Sequence, residues 1–142
     1  MYKVLFIILF AGAIWLGLSK IKSIVAETAK AHVVEAAPII GLGPFLQLVH
    51  AGNIAIVDMR SAQDYDYSHI KDALSVQQLD SANTDDRLKK ARNIILYSSG
   101  GVTDEMRQYA QTLSKQGIQG TAFYSGGFRE WLGAGLPVEK NN

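Results

Sequence analysis

The chain has 142 residues, a formal net charge of +1 and no cysteine. That length holds one small domain with its own core, and the missing cysteines exclude disulfides, thiolate nucleophiles and thiolate zinc sites. From Ala36 onward ten Lys/Arg meet eleven Asp/Glu, a net of −1, so the folded part lacks the concentrated basic surface that binds nucleic acid.

The first predicted element is the apolar run Val4–Leu18, bracketed by Lys3 and Lys20. As a helix its fifteen residues span about 22 Å, short of a hydrocarbon core of about 30 Å. Snorkelling lysines and local thinning close the difference. The run has no polar face, which favours a single-pass membrane anchor in contact with lipid through residues 4–18 over a buried core helix. A cleaved signal peptide is the other alternative, with Gly17-Leu18-Ser19 or Ala29-Lys30-Ala31 as its cleavage site. Lys20 and Lys22 outweigh Lys3 and lean toward a cytoplasmic domain. The expected organisation is an anchor over 1–20, a short stalk over 21–35 and a folded domain over 36–142.

Within that domain Pro38–Ile40 predicts a first strand, and Gly43-Pro44 opens a helix through His50 that Gly52-Asn53 closes. Ile54–Val57 is all apolar, as in a central parallel strand. A helical turn over Ala62–Tyr67 and an edge strand over Ala73–Val76 follow, then a polar stretch, Ser81–Arg87, read as a brief helix or loop. The cations Arg87, Lys89, Lys90 and Arg92 read as a solvated connection. Asn93–Tyr97 is the second core strand. Met106, Tyr109, Ala110 and Leu113 mark a helix over Thr103–Gln116, with Gly117 just beyond its end. Thr121–Tyr124 predicts a strand, Phe128–Leu132 a helix, and Gly135-Leu136-Pro137 a terminal turn. Strands alternating with helices indicate an α/β fold with a mostly parallel sheet. Asp58, Ser98 and Ser125 then lie at the carboxyl edge, where such folds carry their crevice.

Three blocks carry a resemblance to a known family. IVDMRSAQDYDYSHIKDA (56–73) is similar to its Asp-x-Arg, acidic-aromatic and His-Ile pattern. IILYSSGGVTDEMRQYAQTLSKQG (94–117) is similar to its strand, active-site loop and following helix, and FYSGGFREWLGAGLPV (123–138) to its double-glycine, tryptophan and Gly-x-Pro ending. In this order they resemble the rhodanese-like domain family. The resemblance implies a three-layer α/β domain with a five-stranded, mainly parallel sheet. It also implies a loop, here Ser98-Ser99-Gly100-Gly101-Val102-Thr103-Asp104, that in active members holds sulfane sulfur on a first-position cysteine, often with an arginine near its end.

Here Ser98 stands at the cysteine position and Thr103 where the arginine is common. A serine hydroxyl forms no persulfide, and as a nucleophile it needs a base and oxyanion support. His69, the sole histidine in the matching blocks, reads as structural. Asp104 and Glu105, in the first turn of the next helix, suit its dipole and oppose an incoming anion. Asp58 and Arg60 match the Asp-x-Arg pair and read either as loop-orienting groups or, the expectation adopted, as a strand-end cap and surface ion pair. The three histidines show no metal-ligand spacing, so neither metal nor cofactor is expected. No catalytic residue is expected either. The expected role is a non-catalytic binding or scaffold module at a membrane, accessory to a protein partner there. The alternative is a sulfurtransferase-related enzyme that works with a partner's cysteine.

Overall fold

Two apolar runs set the middle of the sheet. Ile54–Val57 and Ile94–Tyr97 are almost wholly buried, which requires cover on both faces, and helices supply it. The computed structural model describes residues 37–79 and 85–141. In chain order the elements are β1 (Ile39–Ile40), α1 (Leu42–Ala51), β2 (Ile54–Asp58), α2 (Ala62–Tyr67), β3 (His69–Ile70) and β4 (Leu74–Ser75). They continue as α3 (Asp86–Lys90), β5 (Asn93–Tyr97), α4 (Asp104–Lys115), β6 (Thr121–Tyr124), α5 (Gly127–Gly133) and β7 (Val138–Glu139).

Five strands form one parallel sheet in the order β1-β6-β5-β2-β4. Alternation along each strand divides the core in two. Ile56, Ile95, Tyr97, Ala122 and Tyr124 face α1, α2 and α5 and pack with Phe45, Tyr65, Phe128 and Trp131. Ala55, Val57, Ile94, Leu96 and Phe123 face α3 and α4 and pack with Leu88, Met106, Ala110 and Leu113. This is the three-layer arrangement with a five-stranded parallel sheet that the sequence leads one to expect. Each fully buried aliphatic or aromatic side chain contributes about 1.5–3 kcal/mol of transfer free energy.

Local sequence explains the ends of α4. The Thr103 hydroxyl accepts from Met106 N at 3.3 Å, satisfying one of the orphan N–H groups. At the other end Gly117 takes φ +80, while Gly117 N reaches Ser114 O and Ile118 N reaches Leu113 O, each at 3.0 Å. That paired closure needs the left-handed backbone glycine allows.

Several expectations need correction. The first strand starts at Ile39, the helix after it covers Leu42–Ala51, and the last helix Gly127–Gly133. The polar stretch becomes a helix only from Asp86, because Asp85 caps it through Arg87 N at 2.7 Å; residues 80–84 lie outside the description. The terminal turn leads into β7, which pairs antiparallel with β3 through His69↔Glu139 and Ile70↔Val138. The anchor over 1–20 and the stalk over 21–35 lie outside the described residues. Among the described residues no helix is long and apolar enough to cross a membrane.

Candidate functional site

The register of the sheet aligns one row of side chains at its carboxyl edge: Ser75, Asp58, Tyr97, Tyr124 and Ile40 on β4, β2, β5, β6 and β1. Four of the five are polar, and the Ser98 loop rises from the strand end beside them.

Asp58 is fully buried. Its Oδ1 accepts from Arg60 N at 2.9 Å and from Nε at 3.0 Å, and its Oδ2 accepts from Arg60 Nη2 at 2.7 Å. The Tyr97 hydroxyl donates to the same Oδ2 and accepts from Ile70 N at 3.2 Å. Arg60 Nη2 also donates to Ser68 O at 2.7 Å. The expected surface ion pair is therefore a buried one, with side chains 7% and 0% exposed, because the chain after β2 folds Arg60 back beneath α5. Burial opposes the charge on Arg60, but hydrogen bonding and attraction from Asp58 outweigh it and raise its pKa. Burial first, then the Asp58 charge, holds the Tyr97 phenol far above its ordinary range. Ser75 Oγ, at the end of the row, is buried with no hydrogen-bond partner among the described residues.

The loop after β5 is clamped by main-chain bonds. Phe128 N donates to Ser98 O at 2.8 Å, Arg129 N to Ser99 O at 3.2 Å, and Gly101 N to Ser125 O at 2.7 Å. Gly127 makes this approach possible. Its φ is +64, and a β-carbon there would sit 2.6 Å from both Gly100 N and Ser98 O, closer than van der Waals contact permits. The Ser98 hydroxyl stays inside the loop, accepting from Gly100 N at 3.1 Å and donating to Gly101 O at 3.0 Å. Val102 packs against the core beneath α4. Thr103 caps that helix, and Asp104 is 91% exposed beside Arg107. Glu105 is held below the usual carboxyl range by its own backbone N–H and then by the Thr103 hydroxyl.

The two assemblies meet at Phe128. The Arg60 guanidinium lies 4.0 Å from the centre of the Phe128 ring, a cation–π distance, while Phe128 N holds the Ser98 carbonyl. Asp58 and Arg60 thus reach the loop through one intervening residue. His69 takes no part. Its Nδ1 lies 2.8 Å from Tyr65 O, which can only accept, so Nδ1 carries the proton. The ring stacks on Tyr65 at 3.8 Å, and Nε2 faces Glu139 at 3.8 Å. Sequence reasoning missed Tyr97 and Phe128 as members of this assembly. The signal for Tyr97 is its register opposite Asp58, which single-strand patterns do not contain.

The family model described as Rhodanese-like domain matches residues 43–134. Thiosulfate sulfurtransferase GlpE of Actinobacillus pleuropneumoniae serotype 5b is 29% identical over 93 residues, 66% of this chain and 84% of that protein. A tRNA uridine(34) hydroxylase of Wigglesworthia glossinidia brevipalpis is 27% identical over 104 residues, 69% of this chain but only 31% of that relative's length. Among solved structures, BH2092 from Bacillus halodurans superposes with a TM-score of 0.61 at 22% identity, covering 82% of this chain and 86% of its own. A thiosulfate sulfurtransferase from Pseudomonas aeruginosa gives 0.55 at 22% identity, covering 73% and 19%. The two superpositions carry the fold alone.

Proposed function

Because the chain belongs to the rhodanese-like domain family, we propose that it is a non-catalytic member, a binding or scaffold module held at a membrane through residues 4–18 and accessory to a protein partner there. The observation that carries this reading is the Ser98 hydroxyl. At the position where the resemblance places a sulfur nucleophile, it accepts from Gly100 N and donates to Gly101 O. A loop built to cradle anionic sulfur aims N–H groups at that point, whereas here a carbonyl oxygen lies 3.0 Å from it. The hydroxyl proton goes to a carbonyl, which is no general base. Asp104 and Glu105 add negative charge at the helix entrance, and no arginine in the loop offsets it.

The anchor supplies a physical use for a domain without chemistry, since confinement to a membrane raises its effective concentration near a partner. The relatives named thiosulfate sulfurtransferase favour the alternative, sulfur transfer in concert with a partner's cysteine.

The deciding experiment is steady-state transfer of sulfur from thiosulfate to cyanide by the full chain. No transfer above the buffer rate is expected, and robust turnover would reject the non-catalytic reading. The anchor is tested separately: the chain should stay with membranes through high-salt and alkaline washes. A soluble product beginning just after Ser19 or Ala31 would establish a cleaved signal instead. Digestion of the domain by protease in inside-out vesicles is the outcome expected for a cytoplasmic domain, and its protection there would place it on the other side.

A further inference from the structure

The charges of the domain are sorted between the two ends of its sheet. Helices α1, α3 and α4 each finish just before a parallel strand begins, so their last turns lie with the strand starts at the amino edge. The turn before β4, α3 with its cap, the lead into β5 and the end of α4 place Lys71, Arg87, Lys89, Lys90, Arg92 and Lys115 there, against Asp72, Asp85 and Asp86. At the carboxyl edge, the end of β2 and the first turns of α2, α4 and α5 carry five carboxylates against Arg60, Arg107 and Arg129. The remaining charges of the described residues, Asp66, Glu139 and Lys140, belong to the end of α2 and to the C-terminal strand and tail. With histidine neutral, the amino edge is +3 and the carboxyl edge −2.

Pairing does not remove the excess. Asp85 answers Arg87 at 3.0 Å, Asp86 lies 3.9 Å from both Lys89 and Lys90, and Asp72 follows Lys71 in the chain. One lysine of α3, Arg92 and Lys115 are left over. Among the described residues, no carboxylate lies within ion-pair distance of Arg92 or Lys115. Arg92 N donates to Asn53 O and Ile94 N to Gly120 O, each at 2.9 Å, which sets the connections at Asn53, Arg92 and Gly120 side by side. Neither Gly52-Asn53 nor the stretch 116–120 holds a carboxylate. Val49, in the last turn of α1 at the same edge, is 37% exposed. The chain also enters here: β1 runs parallel to β6, so everything before Ala37 joins the domain from the amino side.

We propose that this amino edge rests on an anionic lipid headgroup surface, which leaves the Ser98 loop facing away from the bilayer. The inference rests on the anchor proposed for residues 4–18 and adds the orientation of the domain on that membrane. Residues 19–36 reach at most about 60 Å, so an anchored chain holds the edge through which it enters close to the lipid. A bilayer demands neither a pocket nor a strand register, only exposed cations and a little apolar surface on one side. Each Lys or Arg held at an anionic surface strengthens the contact about fivefold, so an excess of three gives about a hundredfold, weakened by salt. Anionic lipid is concentrated on the cytoplasmic leaflet, the side toward which Lys20 and Lys22 lean.

The native chain has no cysteine, so single cysteines can carry a fluorophore, Gln119→Cys at the amino edge and Ala62→Cys at the carboxyl edge, both exposed positions. The full chain is reconstituted into phosphatidylcholine vesicles, with or without phosphatidylserine, that contain a headgroup-attached quencher. With phosphatidylserine the label at 119 should be quenched at least tenfold more strongly than the label at 62. High salt should remove that difference without altering the sequence. Arg92→Glu with Lys115→Glu should remove it too, with folding checked by circular dichroism, whereas Lys140→Glu, off this edge, should preserve it. Equal quenching at the two positions, or stronger quenching at 62, overturns the proposal while the anchor stands. So does quenching at 119 that survives high salt or needs no phosphatidylserine. A chain that leaves the vesicles in an alkaline wash removes the anchor and this proposal together.

Discussion

The Asp58 network and the Ser98 loop rise from neighbouring strands and are both polar, yet they are satisfied in opposite ways. Asp58, Arg60 and Tyr97 join three separate parts of the chain by side-chain bonds in a buried setting, where each group depends on the others. The loop is satisfied by its own backbone and by the entrance of α5, and its side chains carry little of the load. The first assembly is expensive to damage. The second is expensive only where backbone meets backbone. Substitutions at the two should therefore separate stability from chemistry.

The largest effect is expected for Asp58→Ala, which leaves Arg60 buried beside no carboxylate and Tyr97 without its acceptor. Removing one partner of a buried pair costs about 3–5 kcal/mol, measurable by urea unfolding followed through Trp131 fluorescence. A loss below about 1 kcal/mol would mean that solvent reaches the pair and that the contrast fails. Next comes Gly127→Ala. The left-handed backbone costs about 1–2 kcal/mol for a residue with a β-carbon, and the contacts with Gly100 and Ser98 add about 1–3 kcal/mol. Hydrogen exchange should report the damage in the loop as well as in α5.

Tyr97→Phe sharpens the comparison through pH. The folded phenol titrates above its unfolded value of about 10 because burial and Asp58 both resist its ionisation. A raised pKa contributes stability that is intact below the unfolded value and is lost as pH rises through the folded one. The native chain should thus lose stability above about pH 10, and Tyr97→Phe should lower stability at neutral pH while flattening part of that alkaline decline. An unchanged decline would place its origin elsewhere, with Tyr124 beside Glu130 the next phenol to examine.

The smallest stability change belongs to Ser98→Cys, under about 1 kcal/mol. Its thiol should titrate at or above about 8.5, since Gly101 O faces it opposite the Gly100 N–H, and one N–H matched by a carbonyl is not a cradle for a thiolate. Transfer from thiosulfate should remain negligible in the single variant. It should rise on adding Thr103→Arg and Asp104→Ser. A strongly depressed thiol pKa would show that the loop rearranges around a thiolate and would narrow the distance between the two assemblies.

The central strands were legible because Ile54–Val57 and Ile94–Tyr97 are continuous apolar runs, and α4 because its apolar positions repeat at helical spacing. The β3–β7 pair was not legible: two-residue strands carry no periodicity, and the chain between them is nearly half its length. Ser98 could be located from the blocks around it. The burial of Asp58 could not, since an aspartate ending a strand looks solvent-facing until Tyr97 and Arg60 are placed over it in space. A short helix such as α3 is fixed by one cap and one buried leucine, Leu88, too little signal to set its start.

The edge strand β1 bears on the order in which the domain assembles. Among the described residues its one partner in the sheet is β6, through Ile39↔Phe123 and Ile40↔Tyr124, more than half the chain's length away. Closing so large a loop is unfavourable until the strands between are in place, so β1 should join the sheet late in refolding, after β2 and β5 have paired. The same edge should be the first part of the sheet to exchange its amide hydrogens in native conditions, with Phe123 N and Ser125 N, which bond to Pro38 O and Ile40 O, as its reporters.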